Sequence, residues 1–551
     1  MPNDTNNSLT DFDMCLALAQ KAIDSQIASA WKEWVSRSEF SDSGDDDAFG
    51  YLDVYMKSPK TGKPTPLGMS AELAPLTVSL NVPNAKLGQV EVTIRLRSGT
   101  VTYFDQFEFE KATCPIDNWS VSFLTDLDTK PVDPELLRKI DPKAAERADE
   151  VIKNATEKNP GLDDSYFSIE YLFMKFTKID LLLVDNKSIN IPNEQTPENP
   201  DGIPLAARTQ ALVALNTVLQ GDGTNEFMLG TVVRREKKNQ GDKPIPTFAM
   251  TDFAFNIFSD PVDPTASTLS YLGMFSGNVL PKGQDLDRAR VKLQDNWVRP
   301  ERLNGTDATV SGTMAISAHT FLDNYLIPKI TQALGMTPKR DAEHPLKWNY
   351  SNAWDQKQTI DDIIRRKFFF DWSKSLSVEV MTGQAVLNIT GKISSSIGYD
   401  GYTHGAEGLG IGRSEWIAYA GHRTITTSLQ LRETGGSVGF GIAFDIPDAD
   451  YFGPVVVDKD EIEGFAKVNE AVGGVLKGVG IIGDTPAAML ESSMSKTVEA
   501  LRSELDSALK NLDVELNQQA FIPPGGGVFT FQNVRFSAVG DVLLDVIYKA
   551  A

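Results

Sequence analysis

Long stretches in which apolar and polar residues alternate run through this sequence, and they restrict the chain to a fold rich in antiparallel sheet. In residues 87–110, LGQVEVTIRLRSGTVTYFDQFEFE, the apolar residues on one face are Val90, Val92, Ile94 and Leu96. The same alternation returns in residues 375–402 and 424–445. A period of two places every second side chain on the same face of a strand. The turn signals Arg97-Ser98-Gly99 and Thr434-Gly435-Gly436 predict hairpins or meanders between such strands.

Other stretches space their apolar residues three and four apart, which predicts helices. These are residues of about 11–36 with Asp11 as the N-cap, 204–221, 318–334, 358–372 and about 485–518. Pro328 lies inside the third stretch and predicts a kink or a break there. Because regular strand–helix–strand alternation is absent, the sequence indicates an α+β fold rather than a doubly wound one.

The last helical stretch, residues 485–518, carries a long apolar stripe. Its members are Met494, Val498, Leu501, Leu505, Leu509, Leu512 and Leu516. A continuous helix of this length would extend about 50 Å at 1.5 Å per residue. A coiled coil is one interpretation of such a stripe. Because the rest of the chain is mostly strand, we expect the stripe to pack on a sheet of the same chain.

A chain of 551 residues is too long for a single core, so two or more modules are expected. The boundary is predicted near RPERLNGTD, residues 299–307. This gives an N-terminal module of residues 1–300 and a C-terminal module of residues 301–551, which ends in the long helix and a hairpin. Beyond the boundary, the strand predicted at residues 308–317 leads into a helix and then more sheet, which echoes the first module.

The segment IPPGGGVFTFQNVRFSAVGDVLLDVIYK, residues 522–549, predicts a glycine break followed by two strands. The apolar parity changes at Gln532-Asn533, and since one inserted residue reverses the faces of a strand, a bulge is predicted there. The last strand is apolar on both faces, with Leu543 and Ile547 opposite Val542, Leu544 and Val546. Two interpretations remain open: protein covers both faces, or one face lines an apolar cavity.

The acidic composition limits the classes of partner. The formal net charge is −22 and the sequence pI is about 4.7. Such a chain repels nucleic acid, and it repels anionic lipid on average, so any membrane contact must be local or apolar. No apolar run is long enough to be a transmembrane segment, and no signal peptide is visible. We therefore expect synthesis in the cytoplasm, with any release following a route that needs no signal peptide.

Catalytic motifs are scarce, so the sequence predicts a protein that is not an enzyme and holds no cofactor or metal. His404 and Glu407 are spaced like metal ligands, but neighbouring glycines favour a loop and no further ligand follows. Only two cysteines are present, Cys15 and Cys114, and both are predicted to be buried free thiols.

The candidate ligand-binding residues are therefore apolar, and they lie on the predicted helices. They are Leu16, Ile23, Ile27, Trp31 and Trp34 on the first helix, Leu326 and Ile330 on the third, and Val498, Leu501, Leu505, Leu509 and Leu512 on the last. Core packing is the ordinary role of such residues. A helix laid on a curved sheet can also line a groove for an apolar ligand. For Trp31 and Trp34, we expect one in the core and the other facing a cleft.

Several segments resemble the clostridial neurotoxin-cluster accessory proteins, the group of the forty-seven-kilodalton and OrfX proteins. The resemblance is carried by residues 12–34, 248–281, 317–330 and 523–549. That family resembles the tubular lipid-binding (TULIP) superfamily. The resemblance implies an α+β fold of two related modules, in which strongly bent antiparallel sheets wrap long helices around an apolar channel. It implies no catalytic residues.

These observations predict the non-enzymatic binding of a lipid or another hydrophobic small molecule. The alternative is an interaction protein with solid cores and no ligand, such as a component of a toxin complex or a secreted complex. A filled core and a ligand channel use the same residue types, so both hypotheses remain open at this point.

Overall fold

The computed structural model describes much of the chain, with gaps. The described residues are 8–9, 11–37, 50–58, 60–82, 88–158, 164–175, 189–190, 202–219, 227–235, 250–275, 278–293, 297–303, 310–360, 366–404, 411–432, 441–443, 456–457, 521–549 and isolated positions within 496–503. The helix predicted at residues 485–518 therefore lies outside the described residues, apart from those isolated positions.

Strands make up most of the described structure. In chain order they are β1 (Met14–Ala19), β2 (Gly50–Lys57), β3 (Pro64–Leu73), β4 (Thr77–Ser79), β5 (Gln89–Asp105), β6 (Glu110–Pro131), β7 (Phe167–Lys175), β8 (Ile189–Asn190), β9 (Phe227–Arg235), β10 (Met250–Phe258), β11 (Thr268–Phe275), β12 (Gly312–Ile316), β13 (Pro338–Arg340), β14 (Lys347–Ile360), β15 (Arg366–Met381), β16 (Val386–His404), β17 (Ile411–Arg432), β18 (Gly441–Ala443), β19 (Val456–Val457), β20 (Phe521–Ile522), β21 (Val528–Phe536) and β22 (Val542–Lys549). The ladders between neighbouring strands are antiparallel, as the alternating sequence predicts.

Among the described residues, helices are fewer than strands. They are α1 (Gln20–Arg37), α2 (Pro134–Ile140), α3 (Pro142–Lys158), α4 (Leu205–Leu219), α5 (Gln284–Lys292), α6 (Pro300–Leu303), a π-helix (His319–Leu326) and α7 (Ile327–Leu334), with short 3-10 turns at Asp164–Tyr166, Pro264–Ala266 and Pro524–Gly526. Local signals set their ends. Asp133 caps α2 by accepting the Glu135 N–H at 2.7 Å, with Pro134 following it. Gly335 ends α7 in the left-handed conformation.

The described strands form three sheets. The N-terminal sheet has the order β2-β3-β5-β6-β7-β9-β20, with β4 on β5 and β8 on β6. The C-terminal sheet has the order β13-β14-β15-β16-β17-β18, with β19 on β17. The central sheet has the order β10-β11-β1-β12-β22-β21, so it combines strands from both sides of residue 300. The division at residue 300 stays a prediction.

Apolar clusters cover both faces of the central sheet. The larger cluster contains Leu16 of β1 and Leu544 of β22, and it continues into the N-terminal and C-terminal sheets. The smaller cluster contains Cys15 of β1 and Leu543 of β22, and α5, residues 297–303 and Val310 contribute its outer side. At this position the last strand is therefore apolar on two faces because protein covers both of them.

The fold-class prediction of long helices wrapped by strongly bent antiparallel sheets is wrong. The longest helix among the described residues, α1, has 18 residues, and large antiparallel sheets dominate. The helix predicted from residue 11 begins at Gln20, because residues 14–19 form a strand, and Asp11 is not its N-cap. The helix predicted at residues 358–372 is also wrong, since its described residues belong to β14 and β15.

The turn predicted at Arg97-Ser98-Gly99 is wrong as well, because β5 continues through it. The ladder between β3 and β5 shifts register at this place, so the glycine marks an irregularity inside the strand rather than its end. The bulge predicted at Gln532-Asn533 is confirmed, because the ladder between β21 and β22 shifts register after Gln532, with Asn533 at φ 55°. The predicted helix at residues 318–334 is present as the π-helix followed by α7, and the kink or break predicted at Pro328 stays a prediction.

The glycine run before β21 lies where the last segment meets the N-terminal helices. The Gly525 N–H donates to Asp141 Oδ2 at 2.7 Å, and Asp141 Oδ1 accepts the Ala144 N–H at the start of α3. Gly526 has φ 71°, and a Cβ there would lie 2.6 Å from the Cβ of Lys143. The residue must therefore be glycine for the chain to approach α3 this closely.

Candidate functional site

The candidate site is the apolar interior beneath α1, between this helix and the N-terminal sheet. Three of the predicted ligand-binding residues, Ile23, Ile27 and Trp31, share the inward face of α1 and are 1%, 3% and 5% exposed. They belong to one cluster with residues of β4, β5 and β6. The helix contacts β4 and β9, which places this face over the sheet.

The side chain of Gln20 fixes the start of α1 against β4. Its Nε2 donates to the Val78 carbonyl at 2.6 Å, and its Oε1 accepts the Leu80 N–H at 2.8 Å. One side chain at the start of α1 therefore forms hydrogen bonds with the backbone of β4 and of the residue that follows it. These two hydrogen bonds fix the first residue of α1 relative to β4.

Gln26 is the polar residue on this inward face. It is 2% exposed, and its amide nitrogen has no hydrogen-bond partner among the described residues. Gln26 follows Ile23 by three residues and directly precedes Ile27, both of which are buried in the apolar cluster. An amide buried without a partner costs free energy, which makes this position the chemical anomaly of the interior.

The second helix over the N-terminal sheet, α4, has a similar anomaly. It contacts β2, β3 and β5, and its buried residues are mostly small, including Ala207, Ala211 and Ala214. The amide nitrogen of Gln210 is buried and has no partner in the described part of the chain. A helix that is apolar over most of its surface is one that the fold encloses.

The structure places the remaining predicted residues as follows. Leu16 lies in β1 rather than in a helix and is 2% exposed; Leu326 and Ile330 are fully buried in the π-helix and α7. All three belong to the same cluster as the inward face of α1. Trp34 lies in α1, but its side chain is outside the described residues, as are Val498, Leu501, Leu505, Leu509 and Leu512. The predicted difference between Trp31 and Trp34 stays a prediction.

Sequence reasoning missed Gln26 and Gln210. A signal for Gln26 was present, because it falls three residues after Ile23, at helical spacing within an apolar stripe. A similar signal marks Gln210, because the residues three and four positions away, Ala206, Ala207, Val213 and Ala214, are all apolar.

The described residues offer little for catalysis. Among them, no group of three or more histidine, cysteine, aspartate or glutamate side chains could hold a metal ion. Burial raises the pKa of the Cys15 thiol to about 12, which keeps it protonated and unreactive. His404 ends β16, and Glu407 lies outside the described residues.

Comparison with solved structures gives likenesses to known proteins, whereas comparison by sequence gives none. No protein-family model matches the sequence, and no curated protein matches it significantly. The structure is similar to a crystal structure of lipopolysaccharide binding protein, with 10% sequence identity and a TM-score of 0.31, covering 98% of this chain and 99% of that chain. A TM-score this low does not establish a shared fold.

In the part of the chain that the structure describes, no helix combines the length and the apolar character that crossing a bilayer requires.

Proposed function

We propose that this protein binds a lipid or another hydrophobic small molecule without catalysing a reaction, in the interior between α1, α4 and the N-terminal sheet. The observation that carries the proposal is the amide nitrogen of Gln26, which is buried on the same helix as Ile23 and Ile27 and has no hydrogen-bond partner among the described residues. Binding sites for amphiphiles are mostly apolar with a few polar groups that orient the ligand. A carbonyl or carboxylate oxygen of such a ligand would accept the Gln26 N–H and remove the cost of burying it.

A second function is favoured by a different observation. The described groove candidates, including Ile23, Ile27 and Leu326, are at most a few per cent exposed, so protein already surrounds them. This favours the alternative of an interaction protein with a solid core. An accessory role in a toxin gene cluster, with a protein partner, is a finer proposal that is supported by the sequence resemblance alone.

Native mass spectrometry followed by organic extraction tests the ligand proposal. We expect wild-type protein purified from cells to carry an extractable amphiphile and to take up a fluorescent fatty acid. Gln26→Leu should retain several-fold less, because the ligand loses its polar contact. The matched control is Gln430→Leu, which changes an exposed glutamine on β17. If wild-type protein yields no amphiphile and takes up no fatty acid, the ligand proposal is wrong and the interaction protein remains.

A further inference from the structure

The hairpin of β5 and β6 ends in exposed aromatic side chains. Its strands have 17 and 22 residues, and the ladder runs to the pair Asp105–Glu110. Beyond that pair, Phe107 is 94% exposed and Phe109 is 81% exposed; Phe104, just before it, is 46% exposed. We call these three phenylalanines the aromatic tip. Two almost fully exposed phenylalanines on one turn are uncommon on a protein that acts alone in water.

The backbone of the turn is arranged so that the phenylalanines project without leaving donors unsatisfied. Asp105 Oδ1 accepts the Phe107 N–H at 2.8 Å and the Glu108 N–H at 3.3 Å. Phe109 adopts φ 52°, a left-handed conformation that is uncommon for a phenylalanine. The turn can therefore enter an apolar medium with two of its N–H groups already bonded.

The shape of the aromatic tip favours a lipid surface as the occupant. The tip is convex, so a protein partner would have to supply a pocket, whereas the interface of a bilayer accommodates protruding aromatic side chains. The charged residues near the tip in the sequence indicate which lipid headgroups it can approach. Asp105, Glu108 and Glu110 are acidic and only Lys111 is basic, and the whole chain carries −22. Attraction to anionic headgroups is therefore absent, and the contact must be apolar.

We infer that the aromatic tip docks this protein on zwitterionic lipid surfaces by inserting Phe107 and Phe109 among the headgroups and upper acyl chains. This contact is independent of a ligand in the candidate site, because the aromatic tip is exposed and the residues beneath α1 are buried. Removing the phenylalanines should therefore weaken docking and leave the content of the candidate site unchanged.

Flotation with phosphatidylcholine vesicles tests the inference. The variant Phe107→Ser/Phe109→Ser should partition more weakly by about tenfold for each phenylalanine removed. Its thermal midpoint should match that of the wild type, since both side chains are exposed. The matched control is Val262→Ser. Val262 is 90% exposed on another turn, and its N–H also donates to a preceding aspartate, Asp260, at 2.9 Å.

Lipid charge gives a second readout. We expect vesicles of phosphatidylglycerol to bind the wild type more weakly than phosphatidylcholine vesicles at low salt, with the difference reduced by added salt. Absence of wild-type binding to phosphatidylcholine vesicles would overturn the inference, as would equal binding by the double variant. Organic extraction of the double variant separates this result from the proposed function, because its interior content should equal that of the wild type.

Discussion

Two junctions between strand and helix lie at opposite ends of one pair of strands in the central sheet, and they are stabilised differently. Strands β1 and β12 pair antiparallel, with Met14 opposite Ile316. The first junction passes from β1 into α1 at Gln20, and backbone groups and the Gln20 side chain hold it, with the exposed Asp24 carboxylate accepting from the same amide at 2.8 Å. The Gln20 side chain bonds the backbone of β4 and Leu80, and the Gln20 N–H donates to the Ser267 carbonyl at 2.9 Å.

The second junction passes from β12 into the π-helix, and two buried carboxylates hold it. Asp13 Oδ1 accepts the Thr320 hydroxyl at 2.6 Å, and its Oδ2 accepts the Phe275 N–H at 2.7 Å and the Asn278 amide at 2.9 Å. Asp541 Oδ1 accepts the Ala318 N–H at 2.7 Å. Burial raises the pKa of Asp541 to about 6, although backbone N–H groups at Ala318 and Leu9 partly oppose the rise.

The difference teaches how a helix start is satisfied inside a protein. Both junctions must provide acceptors for N–H groups that have no partner within the helix. At the first junction the Ser267 carbonyl accepts the Gln20 N–H, and a carbonyl does not respond to pH. Carboxylates form stronger bonds and suit the positive end of a helix, but burying them makes stability depend on protonation.

The largest expected effect comes from Asp13→Ala at the second junction. It removes the acceptor for three donors in a buried site, so the free energy of unfolding should fall by about 3–5 kcal/mol. Chemical denaturation measures this loss. Asp11→Ala is the control, because Asp11 forms a surface ion pair with Lys292 at 2.8 Å, and its loss should cost under about 1 kcal/mol. Equal losses in the two variants would show that the second junction is not held by charge.

The pH dependence of Asp541 should be the next largest effect. The folded protein binds the Asp541 proton more tightly than the unfolded chain, whose aspartate has the ordinary pKa of 3.8. The folded state is therefore favoured as pH falls: the contribution is full below about pH 4 and lost above about pH 6, a total of about 3 kcal/mol.

Comparison with Asp541→Asn isolates this contribution from other titrating groups. The asparagine keeps an acceptor for Ala318 and has no charge, so its free energy of unfolding should change less between pH 4 and pH 6 than that of the wild type. Urea denaturation at each pH measures this change. If the free energy of unfolding changed equally with pH in the two proteins, the raised pKa of Asp541 would be contradicted.

A smaller loss is expected from Thr320→Val, which removes the hydroxyl that donates to Asp13. A hydrogen bond to a charged group contributes about 1.5–3 kcal/mol, and the valine has nearly the same shape. Thr331→Val on α7 is the control, since its hydroxyl lies 3.4 Å from the Tyr350 hydroxyl and the bond is weak. Thermal denaturation should rank the two, and the reverse ranking would refute the role of Thr320.

Gln20→Ala at the first junction should have the smallest effect. It removes neutral hydrogen bonds at a half-buried site, so we expect a loss of about 1 kcal/mol. Gln20 Nε2 also donates to Asp24 at 2.8 Å, and burial raises the pKa of Asp24, so part of this loss should disappear when Asp24 is protonated at low pH. A loss as large as that of Asp13→Ala would mean that the two junctions are stabilised equally.

The sequence predicted the local structure best where one signal acted alone. The helix α4 begins after Pro204, and the ladder shifts register after Gln532. It failed at residues 14–19, MCLALA, which lie in the middle of the central sheet and are buried on both faces. A strand without a polar face has no alternation, so its apolar residues also fit the spacing of a helix.

The candidate site shows a similar limit. Apolar spacing predicted that Ile23, Ile27 and Trp31 share a face, because helical geometry alone determines this. It could not predict the partners of Gln26, because these depend on strands that are distant in sequence. The exposure of Phe107 was also hidden, since the same alternation places Val92 in the core and Phe107 beyond the end of the ladder.

The final segment of the described chain has a consequence for synthesis. β20 pairs with β9 in the N-terminal sheet, β22 completes the central sheet beside β12, and Phe536 exchanges backbone hydrogen bonds with residues 383–384 of the C-terminal sheet. β1 is synthesised long before its neighbour β12, whose Ile316 pairs with Met14. A ribosome adding 5–20 residues per second needs roughly 15–60 s to make the chain between those two residues. During that time unpaired strand edges are open to other nascent chains, so translation speed and chaperone supply govern how much of this protein reaches the folded state.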